Sequence, residues 1–382
     1  MLKGNIGEWS EIYVFLKLLA DGRLNAADAN LNAIPNVYYP IIKILKQEAT
    51  TKREFLINGT INIIDGNTNK TLLTVPIADF VHKSQQLLAN LKSVSGRSFS
   101  FPAIEAFLNS IDVNSLVALK TDKADIRVVI HDFNTGLKPT LGFSVKSLLG
   151  GDSTLFNPGA GTNFIFKISM PSGTPFNLNQ FNKDTLQLSK QSKNSKISLR
   201  LTNLENLKCK IEFYKIQSDN LQLNLTLIDS QLPELLAHLV YTKYKTGKSK
   251  LIALLKEIIL ANPLGFNISK GHPFYEYKIK NFLTENALGM TPETVWTGKY
   301  DANGGIIIVK ENGDLACYHI YNKNEFQDYL INNTRLEQAS TSEDDNNPGF
   351  AKTIKPKPYK FGWVYEENGE LFIKLNLQIR FT

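Results

Sequence analysis

The spacing of hydrophobic and polar positions changes period several times along the chain, and each change predicts an element. In residues 7–20, GEWSEIYVFLKLLA, Ile12, Phe15, Leu18 and Leu19 fall on one face at helical spacing. Residues 38–48 suggest a second helix. Strands follow at 54–57, 60–64 and 72–75, the last after the polar loop DGNTNK. Residues 78–91 and 102–111 read as helices, the second with Pro102 near its start, where its missing N–H is tolerated. The stretch ADIRVVIHDFNTGLKPTLGFSVKS, residues 124–147, is read as an antiparallel hairpin. Its apolar runs, 126–130 and 141–145, flank a segment containing Asn, Gly and Pro. A fold near residues 135–136 sets Asp125 opposite Lys146 at the open end.

Downstream, residues 162–168 predict a strand, and 221–227 alternate as another. Residues 233–244 and 250–260 read as helices. The runs 306–309 and 315–321 form a hairpin about ENGD, residues 338–349 a polar loop, and EENGE a turn into the alternating strand LFIKLNLQIRF. The fold class expected is mixed α/β (α+β): a central mixed sheet flanked by helices, with extra C-terminal β elements.

Composition narrows the function classes. The chain has 382 residues, of which 42% are hydrophobic, enough for a sizeable core. Its net charge of +7 suits a polyanionic partner. Cys209 and Cys317 form neither a CxxC nor a disulfide framework, which points to a reducing cytoplasm. Glu8 and Glu11 interrupt any signal-peptide core, and no apolar run approaches the roughly 18 residues of a membrane helix. Five scattered histidines give no HExxH or zinc-finger spacing.

The candidate chemistry lies at the hairpin. Hydrolysing a phosphodiester calls for a metal to polarise the phosphate and activate water, and for a cation to offset developing charge. Mg2+ takes oxygen ligands, commonly one or two carboxylates with waters and phosphate oxygens. Asp125 is the candidate carboxylate, and Lys146 the cation that orients water or stabilises the pentavalent state. Glu11 projects close to the apolar stripe of its helix, where a carboxylate needs a partner or a cation. It is the first choice for the second acid. Glu8 is the alternative, although a first-turn acid also favours the helix dipole. Asp132 competes with Asp125, but Asp in a turn has an ordinary structural reason; His131 beside it reads as a strand or turn residue.

Residues 150–163, GGDSTLFNPGAGTN, lack the GK[ST] of a phosphate-binding P-loop. They read either as a plain connection or as a loop gripping a DNA backbone. The candidate DNA contacts are Ser147, Ser153, Thr154, Asn157, Thr162 and Asn163. Residues 181–200 carry five Lys/Arg against one acid, suiting a solvated loop or phosphate contacts.

This pattern resembles the PD-(D/E)xK nuclease superfamily, in which an Asp on one strand precedes a (D/E)xK triplet on the next and a helix often supplies a Glu. Here the Asp lies in KADI, residues 123–126, and the triplet is Ser144-Val145-Lys146. Ser144 stands at the usual acidic position and cannot be an anionic ligand, so a carboxylate must come from elsewhere; Asp152 is close in sequence but loop-borne. The blocks GNIGEWSEIY, GFSVKSLLGGDSTLFNPGAGTNF and KLNLQIRF together look like the HpaII family of type II restriction endonucleases. That resemblance implies Mg2+-dependent cleavage of double-stranded DNA at CCGG, within a restriction–modification system that includes a cytosine DNA methyltransferase. A symmetric site favours a homodimer. The chain is read as one endonuclease unit, with the catalytic core mainly within residues 1–230 and recognition and dimerisation elements mainly within 231–382. The rival readings are a repair or structure-specific nuclease with the same core, and a non-catalytic DNA-binding protein.

Overall fold

The computed structural model describes residues 1–117, 124–133, 135–191, 195–338 and 362–382. The polar loop expected at 338–349 lies almost wholly outside them, as does Lys123 of the KADI block. Two compact units form. The first gathers Met1–Ser153, Ala287–Gly289 and Lys299–Leu330; the second gathers Thr154–Asn286, Met290–Gly298 and Ile331–Thr382. Residues 1–230, the expected core, therefore draw on both.

Helix α1 (Ile6–Asp21) starts at a capping box, in which Asn5 and Glu8 satisfy each other's backbone N–H, and ends at Gly22 in the left-handed region. Then come β1 (Arg23–Ala27), β2 (Ala33–Gln47), β3 (Lys52–Asn58), β4 (Thr60–Asp65) and β5 (Thr71–Val75), helices α2 (Ile77–Ser93) and α3 (Pro102–Ser110), and the hairpin β6 (Ile126–Ile130) and β7 (Thr140–Ser147). Residues 38–48, expected to be helical, belong instead to β2. A register shift between Ile41 and Lys43 breaks the strand's alternation, so its buried positions are Tyr39, Ile41 and Ile44. A spacing of three across a bulge mimics a helical face, and pairing with β3 and β6 supplies the backbone hydrogen bonds.

The second unit begins with β8 (Thr154–Phe156) and β9 (Asn163–Ser169), followed by α4 (Leu178–Gln191), α5 (Lys196–Asn206), β10 (Lys210–Ile216), α6 (Asp219–Ile228), α7 (Leu232–Thr246), α8 (Leu251–Ala261) and α9 (Phe274–Leu288). Two expectations fail here. Residues 181–200 are helical over α4 and the start of α5, whose buried Ile197, Arg200, Leu201 and Leu204 keep helical spacing. Residues 221–227 are helix rather than strand, because Ser218 caps the Leu221 N–H and only alternate leucines, Leu221 and Leu225, are buried. The chain then returns to the first unit for β11 (Gly305–Val309), β12 (Leu315–His319) and most of α10 (Lys323–Asn332), and closes the second with β13 (Thr334–Leu336), β14 (Val364–Glu367), β15 (Glu370–Asn376) and β16 (Ile379–Phe381).

In the first unit, nine strands form a mixed sheet in the order β1-β12-β11-β7-β6-β2-β3-β4-β5. The hairpin is thus central. β11 runs parallel to β7 on one side and β2 antiparallel to β6 on the other. An all-apolar, fully buried GIIIV suits an interior strand. Gly142 on β7 permits the close approach of residues 301–304: a Cβ there would meet the Asp301 carbonyl at 2.6 Å, and the Gly142 carbonyl accepts from the Gly304 N–H. α1 packs on one face through Trp9, Ile12, Phe15 and Leu19, in a core with Ile44, Phe55, Val128, Phe143 and Ile307. On β12, Cys317 joins that core, while its neighbour Tyr318 points the other way and stacks on Tyr329 of α10.

In the second unit, β10-β9-β15-β14 form one antiparallel sheet and β13-β16-β8 another. The C-terminal run expected as one strand divides between the two sheets after Asn376. Asn376 faces Asn163 across β15 and β9 and donates to Asn163 Oδ1, Thr162 Oγ1 and the Gly159 carbonyl.

Candidate active site

The site is assembled on the first unit from α1, β2 and the hairpin. Three side chains pin α1. Trp9 Nε1 donates to the Phe99 carbonyl, Ser10 Oγ is hydrogen-bonded to Ser147 Oγ at 2.8 Å, and the Tyr13 hydroxyl donates to the Gly313 carbonyl. Glu11 lies between the latter two anchors, so its helix position is set on both sides. This is the packing of α1 against β7 that a catalytic Glu11 requires.

The hairpin register differs from the sequence expectation. Ile126 faces Phe143 and Arg127 faces Gly142, so Asp125 stands opposite Ser144, with Lys146 two residues further along β7. The turn explains the shift: Asp132 accepts from the Gly136 N–H and donates its own to the Leu137 carbonyl, closing the chain earlier than a turn at 135–136 would. Asp125 Oδ2 accepts from the Val145 N–H at 2.6 Å and from Ser144 Oγ at 3.1 Å. Ser144 therefore donates to the acid rather than replacing one.

The charges converge. Glu11 is pushed up to about 8, first by burial and then by the nearby Asp125 carboxylate. Lys46 and Lys146 pull it back, and Glu8 adds a further upward push. Lys46, on β2, is lowered by burial against the attraction of Glu48 and Glu11. Asp125, Lys46 and Lys146 thus each act on Glu11. Lys46 is not legible from the sequence, because a helix over residues 38–48 gives it no neighbour among these acids. Glu8 is spent elsewhere, its Oε2 accepting the Asn5 N–H at 2.7 Å in the capping box.

Among the described residues, no group of three or more His, Cys, Asp or Glu is placed to hold a metal ion. Glu11 and Asp125 are two carboxylates whose charges act on each other. Burial first, and then the charge of Asp125, disfavour the ionised Glu11, and a bound divalent cation would oppose both. The donor set fits Mg2+, which needs few protein ligands.

Of the six candidate DNA contacts, most are buried or half-buried. Ser147 is buried on Ser10. Thr162 and Asn163 are fully buried within the amide network of Asn376, which leaves them no surface to offer a phosphate. Ser153 Oγ is enclosed and Thr154 is half-buried in β8, whereas Asn157 is exposed. Arg200, one of the cations of 181–200, is buried over the Trp363 ring at 3.9 Å. Asp132 is buried and accepts from Thr135 Oγ1 in its turn. No helix among the described residues is long and apolar enough to cross a membrane.

Comparison with known proteins gives the class: this is a restriction endonuclease, an enzyme that cleaves DNA at specific sites. More particularly, the profile of the HpaII restriction endonuclease matches residues 5–381, and the chain belongs to that family. It is 41% identical over 379 residues to the type II restriction enzyme HpaII of Haemophilus parainfluenzae, covering 99% of this chain and 98% of that protein. No solved structure matches.

Proposed function

We propose that the chain is a Mg2+-dependent type II endonuclease hydrolysing double-stranded DNA at CCGG, with a site of PD-(D/E)xK type. The observation that carries this reading is the anchoring of α1 on β7 through Ser10 and Ser147, next to Glu11, while Asp125 is held by Val145 and Ser144 on the same hairpin. Glu11 and Asp125 are the proposed metal ligands. Bound there, the ion would polarise the scissile phosphate and lower the pKa of its water. Lys146 orients the attacking water or balances charge on the pentavalent phosphate. Ser144 holds Asp125 by its hydroxyl, so the hydroxyl at the usual acidic position keeps a task without being a ligand. Asn157 is the surface-exposed member of the proposed DNA contacts.

The proposal extends to specificity for CCGG, a homodimer matched to a symmetric site, a cytosine DNA methyltransferase as the functional partner and a cytoplasmic setting, a reading that family membership supports. The test is digestion of a defined plasmid, with and without cytosine methylation of CCGG, followed by end mapping. Discrete bands that need Mg2+ and vanish on methylated sites are expected. A smear, or nicks that follow DNA structure, would favour a repair-type nuclease instead.

A further inference from the structure

Both acids of the proposed site are tied to one strand, β7. Asp125 accepts from the Val145 N–H at 2.6 Å and from Ser144 Oγ at 3.1 Å. Glu11 follows Ser10 on α1, and Ser10 Oγ meets Ser147 Oγ at 2.8 Å. Trp9 and Tyr13 anchor α1 elsewhere, on the Phe99 and Gly313 carbonyls, so the serine pair is the helix's polar link to β7. Both serines are buried, Ser10 wholly. Each also has a partner in its own segment: Ser10 Oγ donates to the Ile6 carbonyl at 2.7 Å, and Ser147 Oγ accepts from the Leu149 N–H at 3.2 Å. Close packing backs the link one turn earlier in α1. A Cβ on Gly150 would meet Ile6 Cδ1 at 3.1 Å and Cγ2 at 3.2 Å. Ser147 shares a face of β7 with Phe143 and Val145, which belong to the core that includes α1. Ser144 and Lys146 take the other face, so the pair acts through the strand's backbone and touches no reacting group.

We propose that Ser10 and Ser147 are positioning residues of the nuclease site, an interlock that fixes where α1 sits along β7 and so where Glu11 stands relative to Asp125. The inference rests on the reading of Glu11 and Asp125 as the metal-binding pair. Apolar packing holds α1 on the sheet, but apolar attraction has no preferred direction and sets the helix's height and rotation only loosely. A hydrogen bond does have direction, and it weakens steeply when its angle or length departs from the optimum. One such bond between two buried hydroxyls therefore fixes the register of helix on strand. Register matters for the chemistry, because a displacement of about 1 Å at a reacting group can cost about 10^2-fold in rate. The Ser147 hydroxyl, which the sequence offers to DNA, is thereby engaged inside the protein.

S10A and S147A cut the interlock from opposite sides, and each leaves the remaining serine its partner within its own segment, so no buried hydroxyl is orphaned. The test measures single-turnover cleavage of a CCGG plasmid by the full-length enzyme across a Mg2+ series, with DNA binding in Ca2+ followed in parallel. Each variant should cleave about tenfold more slowly at saturating Mg2+, with DNA affinity within about twofold of wild type. Each should also need several-fold more Mg2+ for half-maximal rate. The double variant S10A/S147A should be no slower than either single one, because both remove the same bond. Cleavage within about twofold of wild type in either variant, or losses that multiply to about 100-fold in the double, would overturn the role of the pair. So would a slower rate with an unchanged Mg2+ requirement and an equal loss of DNA affinity, the mark of general damage to the fold. D125N or E11Q that cleaves like wild type would instead overturn the metal-site reading beneath it.

Discussion

Strand β6 has an aspartate just beyond each end, and the two show how little residue type decides by itself. Asp132, at the closed end, is buried, and its backbone and carboxylate are occupied by the turn: the Gly136 and Leu137 backbone and the Thr135 hydroxyl. Asp125, at the open end, accepts from Val145 and Ser144, yet its charge also acts on Glu11. The difference is what packs against each end. α1 reaches the open end with an acid, and β2 passes beside it with Lys46. The closed end meets aromatic neighbours instead, such as the Phe133 and His131 rings. One aspartate closes a turn; the other belongs to the proposed site.

The widest separation between the two ends should appear in cleavage. D125N and K146A should each lower the single-turnover rate by about 10^3-fold or more, some 4 kcal/mol of barrier, while DNA binding measured in Ca2+ stays largely intact. Near-normal cleavage by either variant would break the assignment. E11Q should cost about 10^2-fold and raise the Mg2+ concentration needed for half-maximal rate. D132A should do the reverse of D125N: cleavage within a few-fold of wild type, with Tm lowered by a few degrees as a buried turn loses its acceptor. S144A should have the smallest effect on rate, on the order of fivefold, because Val145 still holds Asp125.

A pH series sharpens the contrast without catalysis. Glu11 ionises at about 8 in the folded protein, against its ordinary 4.5. Between those values the folded state holds a proton that the unfolded state has released, so folding stability in chelator falls as pH rises through this window. Differential scanning calorimetry should show that fall. E11Q should flatten it, and Mg2+, which favours the ionised carboxylate, should offset it. A slope that survives in E11Q would place the titration on another group.

Much of the first unit could be read from the chain alone. The stripe of α1, strands β3 to β5, helices α2 and α3 and both strands of the hairpin are local patterns, and local periodicity records which side of an element is buried. Asp125, Lys146 and Glu11 stand out in the sequence as candidates for a local reason too: a carboxylate beside an apolar stripe needs a partner, whereas Glu8, a first-turn acid, has a helix-dipole explanation. The HpaII-like blocks carried the family.

Tertiary structure alone decided the rest. Whether residues 38–48 coil or extend turned on a bulge between Ile41 and Lys43 and on two neighbouring strands, neither of which marks the sequence. The step from Lys146 to Ser144 opposite Asp125 came from the turn's hydrogen bonds, since register is a property of two strands and not of one. Residues 305–309 look like an ordinary apolar strand until they are found parallel to β7, more than 150 positions away in the chain. The same long-range packing pins Ser147 to Ser10 and Asn163 to Asn376 inside the protein. The chain by itself determined which residues could do chemistry; the three-dimensional pairing of α1, β2 and the hairpin determined which of them meet, because charge interactions depend on distance through space, and only the fold sets that distance.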